Sequence, residues 1–223
     1  VSKFMRTPKG RVEWAKVVTP DFKFDKAGIY SCDFYLKADD PATQELCAEL
    51  DELVEEAKND AIEENPKRKP LIAPAYEAVT DDDGNETGEI KFKFKLKAQG
   101  KTKEGKIYKQ RPAVLDSKGT PILKFDEDGD VTNDGFRIGN GTTAKIAFEP
   151  RKYFMASSKT AGVSLRLKAI KIIKLETYAG GGSYFEEEEE EDGYVAKEDD
   201  TPVKAKNGNK KAEEHFDDED EDF

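Results

Sequence analysis

Four lysines recur at every second position of IKFKFKLKA, residues 90–98. Lys91, Lys93, Lys95 and Lys97 alternate with Ile90, Phe92, Phe94, Leu96 and Ala98. On an extended strand that period puts the four ammonium groups on one face and the apolar side chains on the other. Taken alone, such a face is often just solvated, and lysine also shields edge strands from mispairing. The next residues of the chain narrow the reading. Lys101, Lys103, Lys106, Lys109 and Arg111 bring the cations between 91 and 111 to nine, with Tyr108 among them. A strand-loop-strand unit that gathers positive charge around an aromatic ring suits a phosphate backbone with stacked bases. EPRKYF, residues 149–154, sets Arg151 and Lys152 beside Tyr153 and Phe154. Neighbouring strand residues point to opposite faces, so one ring is expected to face outward. Tyr153 is that ring if the strand runs unbroken through Pro150, since Phe154 then shares parity with Ile146 and Phe148. Arg166 and Lys168 alternate with Leu165 and Leu167 and extend the basic surface. Trp14, the single tryptophan, is expected in the core with Val12, Val17 and Val18, and is a secondary stacking residue.

Other chemistry is poorly supplied. The only histidine, His215, stands in an acidic run, so the rest of the chain holds no His–Cys or His–carboxylate set for zinc or for activating a nucleophile. Ser157 and Lys159 lie in a small-residue loop without the rigid geometry a nucleophile and base require. GNGTTA, residues 139–144, fits a dinucleotide fingerprint, but a strand pattern comes after it where a helix is required. The acidic stretches at 81–86 and 126–134 place Glu86 and Val131 where a calcium loop needs glycine. A binding protein without cofactor or metal is expected, rather than an enzyme.

The elements that must position these residues are mostly strands. RVEWAKVV (11–18), IYSCDFYL (29–36), residues 90–98, IYKQRPAVLD, residues 142–154 and residues 163–178 are rich in β-branched and aromatic residues between turn signals. One helix is predicted over about 41–64. Asp40 is its N-cap, Pro41 its first-turn proline, and Leu46, Leu50, Leu53, Val54, Ala57, Ala61 and Ile62 make its apolar face before Pro66 ends it. The segments around 66–89 and 99–106 read as loops. Five or six strands with one inserted helix favour a small β-barrel over an alternating α/β sheet.

Charge divides the 223 residues. Residues 1–180 carry 32 basic against 30 acidic side chains, and residues 181–223 carry 5 against 18, so the net −11 belongs to the tail. A near-neutral body with basic stripes remains able to bind phosphate. Two cysteines make no disulfide framework, VSKFMRTPKG has no apolar signal core, and no run is long enough to span a membrane. A soluble intracellular protein with reduced thiols is expected.

KFKFK (91–95), KTKEGK (101–106), DSKG (116–119), PRKYF (150–154), YAGGG (178–182), DGYVA (192–196) and the terminal DEDEDF occur in one order. In that order the chain resembles the acidic-tailed single-stranded-DNA-binding proteins of short-tailed bacteriophages, the gene 2.5 protein type. The resemblance covers residues from about 90 to 223, while the first third matches in layout more than in words. It implies an OB-fold, a five-stranded barrel with one inserted α-helix, over residues 1–179, and a disordered acidic C-terminal tail over 180–223. It also implies sequence-tolerant binding of single-stranded DNA in replication, recombination and repair, a homodimer, and a location in the cytoplasm of the infected bacterial host. The tail, with Phe216, Asp217, Asp218, Glu219, Asp220, Glu221, Asp222 and Phe223, is expected to recruit the phage DNA polymerase and helicase-primase and to compete with DNA. Tyr153 falls at the family's stacking tyrosine and Phe223 at its terminal aromatic. An RNA-binding OB domain and an acidic chaperone or interaction protein are the alternatives.

Overall fold

A computed structural model describes residues 4–177 apart from 24, 103, 128, 129 and 134. Twelve elements succeed one another: β1 (Met5–Arg6), β2 (Gly10–Asp21), β3 (Ile29–Lys37), α1 (Pro41–Glu64), β4 (Leu71–Ala73), β5 (Tyr76–Thr80), β6 (Glu86–Lys97), β7 (Gln99–Lys101), β8 (Ile107–Lys109), β9 (Ala113–Leu115), β10 (Thr142–Met155) and β11 (Thr160–Lys174). Five strands close into a ring. β2 pairs with β3, β3 with β6, β10 with β11 and β10 with β2, all antiparallel, and the parallel pairing of β6 with β11 completes the circuit. This is the five-stranded barrel of an OB fold. Its helix is inserted between the second and third barrel strands.

Alternation builds the barrel wall. Tyr30, Cys32, Phe34 and Leu36 of β3 and Phe92, Phe94 and Leu96 of β6 point inward and are buried, while Lys93, Lys95 and Lys97 point out. Phe94 is at the centre of the packing, with ring centroids 5.0 Å from Phe148 and 6.1 Å from Phe34, the latter edge to face. The thiols of Cys32 and Cys47 are free and buried, and burial pushes Cys32 up to about 12, so both pack as neutral small hydrophobes.

The helix matches the sequence expectation. Asp40 accepts a hydrogen bond from the Ala42 N–H at 3.1 Å, Pro41 starts the first turn, and Leu46, Leu50, Val54, Ala57 and Ala61 are buried against β10 and β11. Elsewhere the strand expectations need correction. Residues 71–73 and 76–80, loop by their sequence, form β4 and β5, which add to β11 and β6. The stretch 107–116, a single strand by its sequence, divides into β8 and β9. β8 forms a separate hairpin with β7, and β9 pairs with β11. The last strand ends at Lys174, short of the expected 178.

Two bulges explain spacings that break period two. On β2 the register passes from Glu13↔Asp33 to Lys16↔Ser31, leaving an extra residue on β2. Val12 and Val17, of opposite parity, both become fully buried. Trp14 sits on this bulge at φ +52°, its N–H donating to Asn140 Oδ1 at 2.8 Å, and its side chain is 66% exposed. The expectation of a core tryptophan is thus overturned, because the bulge swings its side chain out of the barrel. On β10–β11 the register slips between Ala147↔Ala169 and Phe148↔Leu167, so that Ile170 and Leu167, three apart, both face the core.

Candidate nucleic-acid interface

β6 is no edge strand. β3 flanks it along one side, and β5 and then β11 flank it on the other, so its lysines are not there to blunt an open edge. Where β5 gives way to β11, the outer face opens into a groove of about 600 Å³. Lys91, Lys93, Lys95 and Lys97 form its floor, Tyr153 and Arg166 enter from β10 and β11, Tyr108 from the β7–β8 hairpin, and Tyr76 from β5.

Its charges are held in place. Arg166 lies opposite Lys95 in the β6–β11 register, and its Nη2 donates to Gln110 Oε1 at 2.7 Å. Gln110 in turn donates from Nε2 to the Lys97 carbonyl at 2.8 Å, which fixes the fork over the lysine row. Three of the four lysines have carboxylate neighbours: Lys91 with Glu77 at 2.9 Å, Lys93 with Asp33 at 3.8 Å and Lys97 with Asp25 at 3.1 Å. Lys95 has none among the described residues. The hydrogen bond from Lys91 lowers the pKa of Glu77 and raises that of Lys91, so both stay charged at neutral pH.

Tyr76 ties this groove to the helix. Its phenol donates to Asp51 Oδ2 at 2.8 Å, and its ring packs 5.6 Å from Phe92. Burial, then the Asp51 carboxylate, hold the phenol well above the usual tyrosine range. Sequence reasoning misses Tyr76 because the β5 segment has the composition of a loop. It misses Gln110 because nothing in a lone glutamine signals that it orients an arginine.

The remaining site residues are spread more widely. Lys101, Lys106 and Lys109 are exposed on or beside the β7–β8 hairpin, near the groove end marked by Tyr108. Arg111 stacks 4.6 Å over the Phe125 ring. Lys103 and the tail residues Phe216, Asp217, Asp218, Glu219, Asp220, Glu221, Asp222 and Phe223 lie outside the described residues. Lys152 does not join the groove. Its strand face meets α1, where it reaches Asp60 at 2.7 Å and Glu56 at 3.2 Å, and those carboxylates raise its pKa. Arg151 and Lys168 both turn to the buried Glu149, at 2.6 and 3.0 Å. Glu149 is the cross-strand partner of Arg166, so Lys168 stays on the Arg166 face but is tied to that carboxylate and does not line the groove. Trp14, on its β2 bulge, is not among the groove residues. Phe154 is half-buried under the Arg68 guanidinium, which lies 4.6 Å from its ring centroid.

The glycine-rich stretch, the Ser–Lys pair and the acidic stretch at 81–86 lie in connections between strands. Gly139–Ala144 is a turn entering β10, Ser157 and Lys159 belong to the exposed β10–β11 turn, and Asp81 closes the β5–β6 turn by accepting from the N–H groups of Asp83 and Asn85.

A closed five-stranded barrel with a cationic, tyrosine-lined groove across its third strand defines an OB-type binder of single-stranded nucleic acid. Residues 8–175 match the family described as single-stranded DNA-binding protein, Bacteriophage T7, and the chain belongs to that family of phage single-stranded-DNA-binding proteins. It is similar to the crystal structure of gp2.5, a single-stranded DNA binding protein encoded by bacteriophage T7, with a TM-score of 0.63 and 27% identity over 88% of this chain and 100% of that one. The fold is also similar to the single-stranded DNA-binding protein of bacteriophage Enc34. Its C-terminal truncation aligns at TM-score 0.54 and 12% identity over 78% of this chain and 87% of that one. Its complex with ssDNA aligns at 0.53 and 13% over 78% and 88%. No curated protein sequence matches the chain.

Proposed function

We propose that single-stranded DNA lies in the groove across β6, with its phosphates along Lys91, Lys93, Lys95, Lys97 and Arg166 and bases stacked on Tyr153 and Tyr108. The observation that carries this reading is the convergence, from four separate strands, of the lysine row, Arg166 and both tyrosines on one groove. Lys101, Lys106, Lys109 and Arg111 extend the positive field beyond the groove end, and Lys103 belongs to the same hairpin connection. Neither mode of contact reads sequence, so binding is sequence-tolerant. The protein is a binding module that coats DNA during phage replication, recombination and repair in the cytoplasm of the infected host.

Residues 1–179 form the DNA-binding unit in this reading, and 180–223 a separate acidic segment. Its charge opposes that of the groove, so it competes with DNA. Phe223 and the carboxylates before it form a ligand for the phage DNA polymerase and helicase-primase. The protein acts as a homodimer. The ssDNA complex of the structurally similar Enc34 protein supports the assignment of polymer.

The test is a titration of labelled dT oligomer across a range of salt, with rU oligomer in parallel. Counterion release requires affinity to fall steeply as salt rises. A flat salt response, or equal affinity for rU, would remove the electrostatic groove or the preference for DNA, respectively.

A further inference from the structure

Two groove tyrosines share an arrangement. In the strand registers Tyr153 faces Gly162 across β10–β11, and Tyr108 faces Gly100 across β7–β8. In both pairs the ring leans onto the glycine. A Cβ at position 162 would come within 2.8 Å of the Tyr153 hydroxyl and 3.0 Å of its Cζ. A Cβ at position 100 would stand 2.5 Å from both the Cζ and the hydroxyl of Tyr108. Non-bonded carbon atoms settle about 3.5–4.0 Å apart, so a side chain at either position displaces the ring. Neither glycine has a positive φ. The backbone there accepts any L-residue, and what the ring uses is the missing side chain.

Strand side chains ordinarily stand roughly perpendicular to their sheet. A ring laid over a cross-strand glycine instead covers the backbone with one face and leaves the other open. Both rings so arranged line the groove. Tyr76, also in the groove, is held differently, by its hydrogen bond to Asp51.

We infer that Gly100 and Gly162 are positioning residues for base stacking: each lays its cross-strand tyrosine flat, so that a π-face is set toward the groove before a base arrives. Fixing the ring beforehand reduces the ordering cost of binding. The inference rests on the groove being the single-stranded-DNA site.

Gly100→Ala is the decisive variant, because the atoms nearest its new Cβ all belong to Tyr108, whereas a Cβ at 162 also comes 3.0 Å from the Ala73 carbonyl. Full-length wild type, Gly100→Ala, Tyr108→Ala and the double variant are titrated with a dT oligomer and with an abasic oligomer of equal length. Part of one stacking interaction is lost in Gly100→Ala, so its dT affinity falls about three- to tenfold while its abasic affinity holds. In the Tyr108→Ala background, where the Cβ has room, the same substitution has no further effect. An unchanged dT-to-abasic ratio in Gly100→Ala, an equal loss on both polymers, or losses that add to those of Tyr108→Ala would overturn the inference. Wild type failing to prefer dT over the abasic oligomer would sink the stacking reading of the groove itself, and this inference with it.

Discussion

Lys95 differs from the other lysines of its strand face in having no carboxylate partner among the described residues, and it lies opposite Arg166. Phosphate meets least competition there. Lys95→Ala is expected to weaken dT binding by about 1 kcal/mol, roughly fivefold, and more than Lys91→Ala does. Glu77→Gln should act in the opposite direction, tightening binding several-fold by releasing Lys91 from its ion pair. Equal losses for both lysine variants, together with no gain in Glu77→Gln, would show that the pairing in the free protein is irrelevant to binding. The same pair sets the pH response. Glu77 titrates below the usual glutamate value because the Lys91 hydrogen bond favours its ionised form, so the pair is intact at neutral pH and is lost only as pH falls through that lowered value. Affinity of a protein ending at residue 180, which lacks His215, should therefore be level from pH 6 to 8. A step near the histidine range would locate a titrating group that this groove does not contain.

At the scale of the elements, period two is sufficient for β3, β6 and the lysine face, and capping plus heptad-like spacing is sufficient for α1. Local signals of that kind carry strand identity and facing. They do not carry register. The bulge at Trp14 depends on which residues pair across strands, so sequence alone puts Trp14 inside, and nothing local shows that Lys168, on the Arg166 face, is held by Glu149. Sequence likewise puts Lys152 with the DNA contacts, because its partners, Glu56 and Asp60, are almost a hundred residues distant on α1. The short strands β4, β5 and β7 are stabilised by neighbours rather than by their own composition, which is why Tyr76 is invisible to pattern reasoning. The β2 bulge yields a separate prediction. A non-glycine residue in the left-handed region is disfavoured by about 1–2 kcal/mol, and the exposed Trp14 side chain has little packing to lose. Trp14→Gly should raise thermal stability by about 1 kcal/mol while leaving dT affinity within about twofold. A large loss of affinity would move a stacking base to the β2 face.

The whole molecule separates charge along its sequence, with a slightly basic body and a strongly acidic final segment. If that segment competes for the groove, removing 181–223 should tighten dT binding at low salt and make the difference shrink as salt rises, because screening weakens both attractions. Internal ion pairs moderate the body's own response. With roughly four phosphates contacted, the slope of log affinity against log salt should be about −3 rather than the steeper value that nine engaged cations would give. All of these expectations depend on where the strand lies. Photocrosslinking a dT oligomer carrying 5-iodouracil to the full chain, then identifying the modified peptide by mass spectrometry, reads that location directly. Crosslinks are expected at Tyr153 and Tyr108, on the groove across β6. Crosslinks concentrated at Trp14, with both tyrosines unmodified, would contradict the groove as the DNA site.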